Sequence, residues 1–322
     1  MTTRLRPRGR LAHGALLAFA ITTFIVQPAS AHGVAGNRFF PATLATEDPF
    51  AADELSLPTL TRFKTADTPS SLTTDVSAEY SKRLTSRMSL SVGERWSQQK
   101  APGEAAVSGF QNLETGLKYQ LVTNPAHEAI VSLGLGAEWG GTGSKRVGAE
   151  AISTISPTLY FGKGAGDLPE SFALLQPFAV TGAFSYAIPT QGRQTVSTLD
   201  LATGLPVTSR EATSSVLHAG FALEYSLPYL AAHVRDLGLP TWVNHLTPLV
   251  EVALDRPLTH DRGVGTTGTI NPGVIWSARH FQLAAEGVIP INRLSGPSVG
   301  VIVQVHIFLD DLFPHSIGRP IW

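Results

Sequence analysis

The sequence contains no cysteine, so neither disulfide bonds nor thiolate metal sites can stabilise the protein. Charged residues form only 15% of the chain, whereas ordinary soluble domains contain about 25%. The 24 basic residues almost balance the 25 acidic residues, which leaves no overall field to attract nucleic acid. After residue 31, no segment approaches the ~18 apolar residues of a membrane-spanning helix. Stability must therefore come from strand pairing and packing, and no nucleic-acid partner is expected.

The sequence also lacks motifs of catalysis and cofactor binding in the structural context that such motifs require. No Walker or zinc-binding spacing occurs, and the single GxSxG and GxGxxG spacings, at 296–300 and 263–268, lead into predicted strands rather than helices. Residues 162–166 resemble a phosphate loop only in composition. The Ser/His pairs His218–Ser226 and Ser298–His306 lie on single predicted strands, where eight residues span about 27 Å. Sequence alone leaves open the pairs that lie on different strands. We therefore predict no cofactor and no enzyme activity, with a membrane-surface hydrolase as a remote alternative.

The first 31 residues have the organisation of a secretory signal peptide. A basic start precedes a largely apolar segment at 11–26, and Ala29, Ser30 and Ala31 supply a cleavage site. A retained membrane anchor is the alternative interpretation. Cleavage would leave His32 at the mature amino terminus, where its amine and imidazole could bind copper. A histidine that merely follows the cleavage site is the simpler interpretation.

The positive feature of the sequence is a period-two alternation of apolar and small or polar residues. It predicts strands at 73–84, 87–97, 110–123, 128–140, 149–162, 174–189, 213–228, 246–256, 268–279, 280–290 and 298–309. Strands of this length are long for a soluble sandwich but match a tilted strand that crosses a ~25–30 Å apolar layer. A transmembrane antiparallel β-barrel of the bacterial outer membrane is therefore predicted, with a secreted β-sandwich as the alternative.

The loop lengths correct this count of eleven strands. The first, third and ninth connections are tight, while the second, sixth and eighth are long and polar. Outer-membrane barrels have short periplasmic turns and longer external loops. One more strand must therefore precede residue 73, and 54–63 can supply it. The prediction becomes twelve strands within 54–309, with both termini in the periplasm and Trp96, Trp139, Trp242 and several tyrosines near the membrane interfaces. Trp276 is the exception, because it falls near the middle of its predicted strand.

The predicted inward faces carry ionisable residues of both signs. The candidates for the lining of the lumen are Asp75, Glu79, Arg95, Glu114, Lys118, Glu138, Glu150, His218, Glu224, Glu251, Arg279, Glu286 and His306. They could line a water-filled or partly plugged pore, or form a static network of salt bridges in a sealed barrel. The pore is favoured, because twelve strands enclose more space than side chains fill.

The segments at the two ends of the barrel do not alternate. Residues 32–53 contain Phe39, Phe40 and Phe50, which favours an ordered periplasmic arm or plug over a disordered leader. Residues 310–322 contain Pro314 and Pro320, which predicts a periplasmic tail rather than a strand. Barrel assembly machinery, which reads terminal aromatic residues, is an expected partner together with outer-membrane lipid.

These end segments resemble those of a family of proteobacterial outer-membrane β-barrel proteins. The similarity lies in the His32-Gly33 start, in residues 38–44, 48–50 and 53–58, and in the Asp-Asp-Leu-Phe-Pro close at 310–314. The strand region more distantly resembles the twelve-stranded transporter-like barrels grouped with the meta-pathway of phenol degradation. The resemblance implies a channel or transporter for a small-molecule solute, and it supplies no catalytic residues. A sealed structural or binding barrel without transport is the alternative.

Overall fold

Twelve antiparallel strands dominate the computed structural model, which describes residues 33–199, 206–260 and 263–322. The predicted signal peptide and the candidate copper ligand His32 lie outside the described residues. The strands are β1 (Glu54–Lys64), β2 (Leu72–Thr85), β3 (Met88–Lys100), β4 (Leu113–Asn124), β5 (Ala129–Trp139), β6 (Thr154–Gly164), β7 (Phe178–Pro189), β8 (Val216–Tyr225), β9 (Leu246–Pro257), β10 (Thr267–Ser277), β11 (Phe281–Pro290) and β12 (Gly300–Phe308). Among the described residues, no helix is long and apolar enough to cross a membrane.

The twelve strands close into a barrel. Each strand pairs with the next in the chain, and β12 pairs with β1 to complete the ladder. The predicted twelfth strand at 54–63 is therefore confirmed as β1. One end of the barrel, which we call the terminal end, holds the first and last described residues, 33 and 322, and the connections 86–87, 125–128, 165–177, 226–245 and 278–280. The remaining connections lie at the opposite end, which we call the loop end, and include a hairpin of Arg193–Leu199 with Pro206–Ala212.

The alternation predicted from the sequence separates the two faces of the wall. On β5, Leu133 and Leu135 are 46% and 50% exposed, while Ser132, on the opposite face of the strand, is fully buried. The same outward exposure of apolar side chains recurs on the other strands, for example at Leu223 on β8 and Val303 on β12. Since a closed ladder has no free edge, its backbone groups are satisfied within the wall. The outer surface is therefore a belt of apolar side chains.

Two strands contain interruptions that the simple alternation did not predict. The predicted strand 110–123 begins as a short segment, Val107–Phe110, which pairs with the end of β3 before Gln111 and Asn112 break the ladder. In β1, Pro58 lies at a shift of register between Ser56 and Thr59. A bulge at this position accommodates the missing backbone N–H of proline.

Two tryptophans, Trp242 and Trp276, lie at the terminal end. Trp276 is the penultimate residue of β10, so the prediction that it lies near mid-strand was wrong. Its indole Nε1 donates a hydrogen bond to the carbonyl oxygen of Trp242 at 3.1 Å, and its ring packs on His245 and Phe281. The connection that carries Trp242 contains short helical segments, Leu227–Tyr229 and Leu230–Val234. This position suits the interfacial role expected of tryptophan.

Candidate functional site

The arm (residues 33–53) lies inside the terminal-end part of the barrel and contacts its inner wall on several sides. Phe40 and Phe50 pack with Ile130 and Ala179 in a buried apolar cluster. Leu44 packs against Leu249, Ile275 and Ala284 on the other side. The hydroxyl of Ser132 donates to the carbonyl oxygen of Pro49, and the amide of Gln282 donates to that of Ala42. The contacts thus extend across the lumen from β5 to β11.

Small residues in the wall make room for this segment. A Cβ atom built on Gly220 would lie 3.1 Å from the Cβ of Thr46 and 2.6 Å from its hydroxyl oxygen. One built on Gly162 would lie 3.3 Å from Pro49 and 3.4 Å from Phe40. Larger side chains at these positions would push the arm away from β6 and β8. These two glycines therefore make room for the arm.

The start of the arm is held by Arg38, which is fully buried. Its guanidinium donates to Glu128 at 3.2 Å and to the carbonyl oxygens of Pro177 and Gln176, and it stacks on the Tyr229 ring at 3.8 Å. Burial raises the pKa of Tyr229 to about 12, and the nearby Glu128 carboxylate contributes to the shift. Because these partners belong to three different terminal-end connections, Arg38 joins the arm to all three.

The end of the arm is held by Asp53, which is also fully buried. Its carboxylate accepts hydrogen bonds from Lys82, from the backbone N–H of Arg83 and from the Arg83 guanidinium, the last at 2.7 Å. Arg83 and Lys82 also donate to carbonyl oxygens of the carboxy-terminal tail, at Gly318 and Ile317. One buried carboxylate therefore connects the arm, β2 and the tail.

The middle of the arm is held by a carboxylate of the wall. Glu251 of β9 is fully buried, and it accepts hydrogen bonds from three successive backbone N–H groups, those of Leu44, Ala45 and Thr46, at 2.7, 3.0 and 2.7 Å. Hydrogen bonds to an ionised acceptor are about twice as strong as neutral ones. This arrangement turns the next residue of the arm, Glu47, toward the loop end.

A cavity of about 560 Å³ lies between the arm and the loop end, with Ala45, Thr46 and Glu47 at its base. Glu47 accepts a hydrogen bond from the Tyr160 hydroxyl at 2.7 Å and lies 3.6 Å from the Lys118 ammonium. Lys118 also donates to the Asp48 carbonyl oxygen at 2.7 Å. The base of the cavity is thus a defined polar surface.

The charges around the cavity are unequal, although the whole chain is nearly balanced. Six carboxylates line it, and the fixed cations among the lining residues are two, Arg95 and Lys118. Arg95 is 3.4 Å from Glu114, so one of these cations is already paired at the wall. The carboxylates are those of Glu47, Glu54, Glu79, Glu114, Glu138 and Asp255. The solvent-filled part of the lumen is therefore acidic.

The predicted lumen residues fall into three groups. Glu79, Arg95, Glu114, Lys118, Glu138 and His218 line the cavity. Glu224, Glu251, Glu286 and His306 are buried on the inner wall at the level of the arm, and Asp75 lies on the inward face of β2. The two remaining candidates, Glu150 and Arg279, do not lie on strands.

Both exceptions have a local cause. Glu150 belongs to the 140–153 connection, because the chain folds back there and the backbone N–H of Gly141 donates to the Glu150 carbonyl oxygen. Its alternation with small neighbours imitates a strand, but β6 begins only at Thr154. Arg279 lies in the turn between β10 and β11, which the bond from the Ala278 N–H to the Phe281 carbonyl oxygen closes. The strand placement of these two residues was wrong.

A polar row that the sequence did not reveal crosses four neighbouring strands. Thr158 lies opposite Ser185, Ser185 opposite His218, and His218 opposite Asp255. All four side chains line the cavity. The Thr158 hydroxyl donates to Ser185 Oγ at 2.9 Å, and His218 Nδ1 is hydrogen-bonded to Asp255 Oδ1. The residues are 27 to 37 positions apart along the chain, so no sequence motif could indicate them.

A further polar cluster lies outside the barrel at the terminal end. Asp167 accepts hydrogen bonds from His127 at 3.0 Å and from Lys163 at 2.9 Å. These two bonds hold the pKa of Asp167 below its usual range. Among the described residues, no group of three or more His, Cys, Asp or Glu side chains is arranged to hold a metal ion.

Comparison with known proteins gives matches at the level of structure. No protein-family model and no curated protein matches this chain. An outer membrane channel from Pseudomonas putida F1 is similar with a TM-score of 0.53 and 11% identity, over 84% of this chain and 99% of that chain. The NanC porin has a TM-score of 0.45 and 10% identity, over 78% of this chain and 98% of the porin. LpxR from Salmonella typhimurium has a TM-score of 0.40 and 11% identity, over 79% and 99% of the respective chains.

The first similarity defines the fold class, that of an outer-membrane β-barrel, and the two weaker ones add no argument. The structure itself gives the location. A closed antiparallel barrel with an apolar outer belt satisfies its backbone internally and meets lipid with its outer face. The protein is therefore a transmembrane barrel of the outer membrane. The predicted link to barrels of phenol degradation has no counterpart among these comparisons and stays a prediction.

Proposed function

We propose that this protein is an outer-membrane channel for small solutes, that it favours cations, and that the arm is its plug. The observation that carries the proposal is the cavity of about 560 Å³, which has the arm as its base and the loop end as its entrance. In this proposal the terminal end faces the periplasm, because outer-membrane barrels have their short turns on that side. A solute would enter from the loop end and pass when the middle of the arm moves.

The preference for cations follows from the lining. Six carboxylates face two fixed cations around a cavity enclosed by a low-dielectric wall. A cleft lined mainly by one sign of charge raises the local concentration of the opposite ion. Rings of aspartate and glutamate select cations in channels by the same effect. An anionic solute would lose its hydration and gain few donors in return.

The arrangement of the arm makes its middle the part that can move. Buried ion pairs fix both of its ends, at Arg38 and at Asp53. The middle is held through hydrogen bonds to Glu251 and through the close approach of Thr46 to Gly220. A displacement of residues 44–47 alone would widen the lumen and leave the ends in place. The same ion pairs favour the second candidate function, a sealed binding barrel whose arm never moves.

A disulfide lock distinguishes these two functions, because the native chain contains no cysteine. In the double variant Thr46→Cys/Gly220→Cys the two Cβ atoms would start about 3.1 Å apart, close to the usual 3.5–4.5 Å of a disulfide. We expect the oxidised double variant to conduct little in planar bilayers. After reduction it should conduct as the single variant Gly220→Cys does, because that variant crowds the arm equally but cannot form the bond. The single variant Thr46→Cys, which cannot form the bond, is the matched control, and the oxidant should not change its conductance.

Selectivity is measured in the same bilayers. With a salt gradient, the reversal potential should lie toward the equilibrium potential of the cation. The substitution Glu138→Gln should move it toward zero, whereas Ser91→Ala in the same lining should leave it unchanged. No conductance in any form, including a variant without residues 33–50, would contradict the channel and favour the sealed barrel. Conductance with anion preference would contradict the charge argument alone.

A further inference from the structure

We propose that Ser185, His218 and Asp255 form a nucleophile–base–carboxylate triad that hydrolyses small neutral or cationic carboxylic esters in the cavity. The three residues lie on β7, β8 and β9, the neighbouring strands of one wall. This activity goes beyond transport, and the arguments for it are independent of whether solutes cross the membrane.

The register of the barrel places the three side chains side by side. Ser185 is the cross-strand partner of His218, and His218 is the cross-strand partner of Asp255. Side chains directly opposite each other on one face of an antiparallel pair have Cβ atoms about 4.5–5.5 Å apart. Since all three line the cavity, they share that face. The histidine is therefore flanked by a hydroxyl on one side and a carboxylate on the other.

The hydrogen bond to Asp255 gives His218 the orientation that a general base needs. Its Nδ1 is bonded to Asp255 Oδ1, so the neutral ring carries its proton on Nδ1 and its lone pair on Nε2. Because Nδ1 is bonded to Asp255 on β9, Nε2 is the ring nitrogen left to accept a proton from a neighbouring hydroxyl. A carboxylate that orients a histidine for a neighbouring serine is the arrangement of hydrolytic triads on unrelated folds.

Thr158 supports the nucleophile from the far side. Its hydroxyl lies 2.9 Å from Ser185 Oγ and also lies within hydrogen-bond distance of the Ser156 carbonyl oxygen, at 3.2 Å, so it fixes the position of Ser185 Oγ from β6. We expect Ser185 and His218 to close up when substrate is bound, because catalytic hydrogen bonds are often long in the empty enzyme.

The reaction is balanced with water as the co-reactant. Ser185 Oγ attacks the carbonyl carbon of the ester while its proton passes to His218 Nε2. The bond from the carbonyl carbon to the alcohol oxygen breaks, and His218 returns the proton to the departing alcohol. Water then attacks the acyl-serine, giving its proton to His218, and the carboxylic acid leaves as Ser185 regains a proton. Ester and water become alcohol and acid, and the triad is unchanged.

The surroundings of the triad define the class of ester. His218 and Asp255 have side chains 45% and 49% exposed, so a solute in the cavity reaches them from the loop end. The lumen volume of about 560 Å³ falls in the range of pockets that hold small ligands. The carboxylates of the lining disfavour an anionic ester and repel the carboxylate product. A choline ester or an uncharged short-chain ester fits these conditions.

The test uses the purified mature protein in detergent, where transport plays no part. A fluorophosphonate probe should label the wild-type protein at Ser185, located by peptide mass mapping, and p-nitrophenyl butyrate and acetylthiocholine should be hydrolysed. Ser185→Ala should abolish the labelling and lower the hydrolysis rate at least 100-fold. Ser91→Ala removes a hydroxyl from another wall of the same cavity and should change neither measurement.

His218→Gln and Asp255→Asn distinguish a triad from a merely exposed serine. Both should slow the labelling of Ser185 by at least tenfold, while heat-modifiable migration confirms that each variant forms a barrel. Labelling at another residue, or equal labelling of wild type and Ser185→Ala, would overturn the proposal. So would a rate that neither His218→Gln nor Asp255→Asn changes, since the pair would then be a structural contact only.

Discussion

Replacing Arg38 by methionine should release the start of the arm while keeping the length and the apolar stem of the side chain. The substitution removes the bonds to Glu128, Pro177 and Gln176 and leaves the Glu128 carboxylate buried without its cation. Breaking a buried ion pair by removing one partner costs about 3–5 kcal/mol. Since 1.36 kcal/mol corresponds to a factor of ten, even the lower value predicts that the open arm becomes about 10²-fold more populated.

Thiol labelling measures this population directly, because the native chain has no cysteine. A cysteine at position 35, in the start of the arm that Arg38 holds, would replace an alanine only 1% exposed. It can react only when the arm opens, and its rate then follows the opening equilibrium. In this background Arg38→Met should accelerate labelling by about 10²-fold. The matched control Arg95→Met removes a half-exposed arginine from the cavity wall and should change the rate little, since such pairs contribute ~0–1 kcal/mol.

A double-mutant cycle with Glu128→Gln tests the assigned cause. The neutral amide removes the buried charge that Arg38→Met leaves behind. The double variant should therefore accelerate labelling by less than the two single effects combined predict. A labelling rate that Arg38→Met changes by less than threefold would refute the view that this residue holds the arm. Strict additivity would show that Arg38 acts through its carbonyl partners and Tyr229 rather than through Glu128.

Two further predictions concern the wall and the terminal end. Gly273→Ala should lower the free energy of unfolding by about 1–3 kcal/mol, because its Cβ would lie 2.4 Å from Glu286 Cγ and 2.6 Å from the Ala285 carbonyl oxygen. Urea unfolding measures this loss, and the control is Gly287→Ala, whose Cβ would meet open space. Equal unfolding midpoints for the two variants would contradict the argument. Asp167→Asn should cost less than about 1 kcal/mol at neutral pH. The pKa of Asp167 is lowered in the folded state, so its contribution is present above the ordinary pKa of aspartate and is lost as the pH falls through the folded value. The gap between wild type and variant should therefore close in acid, and a gap that widens there would contradict the assignment.

The barrel could be predicted from the sequence because its evidence is local. Each strand needs only its own alternation of apolar and small residues, and Leu133, Leu135 and their neighbours show it without reference to any other strand. The parity of short and long connections then required one more strand, although Pro58 weakened the pattern there. Where the local pattern continued into a connection, as at Glu150, the prediction was wrong. The fold-back that displaces Glu150 depends on a bond from Gly141, which alternation does not encode.

The contents of the lumen could not be predicted in the same way, because they depend on contacts between distant parts of the chain. The arm meets Glu251 about two hundred positions away, and Arg38 meets Glu128 at a separation of 90. The row from Ser185 to Asp255 forms only because three strands pair in one register. The lengths of the connections between these strands do not reveal that register in the sequence. Aromatic residues in the arm indicated order, but not which residues of the wall would bind it.

The two kinds of contact that hold the arm have different consequences for its motion. Arg38 and Asp53 are charges without exposed surface, and withdrawing either from its partner would leave unpaired charge in a buried place at a cost of several kcal/mol. Between them, Glu251 is also fully buried, but two of the three backbone N–H groups that it binds belong to Ala45 and Thr46, which border the cavity. Water from the cavity can therefore replace these bonds as they open, which lowers the net cost. Thermal opening should therefore begin at residues 44–46, next to the cavity, and reach the ends last. Because Glu47 follows directly, this motion would also withdraw one carboxylate from the base of the cavity, so the position of the arm and the charge felt by a solute change together.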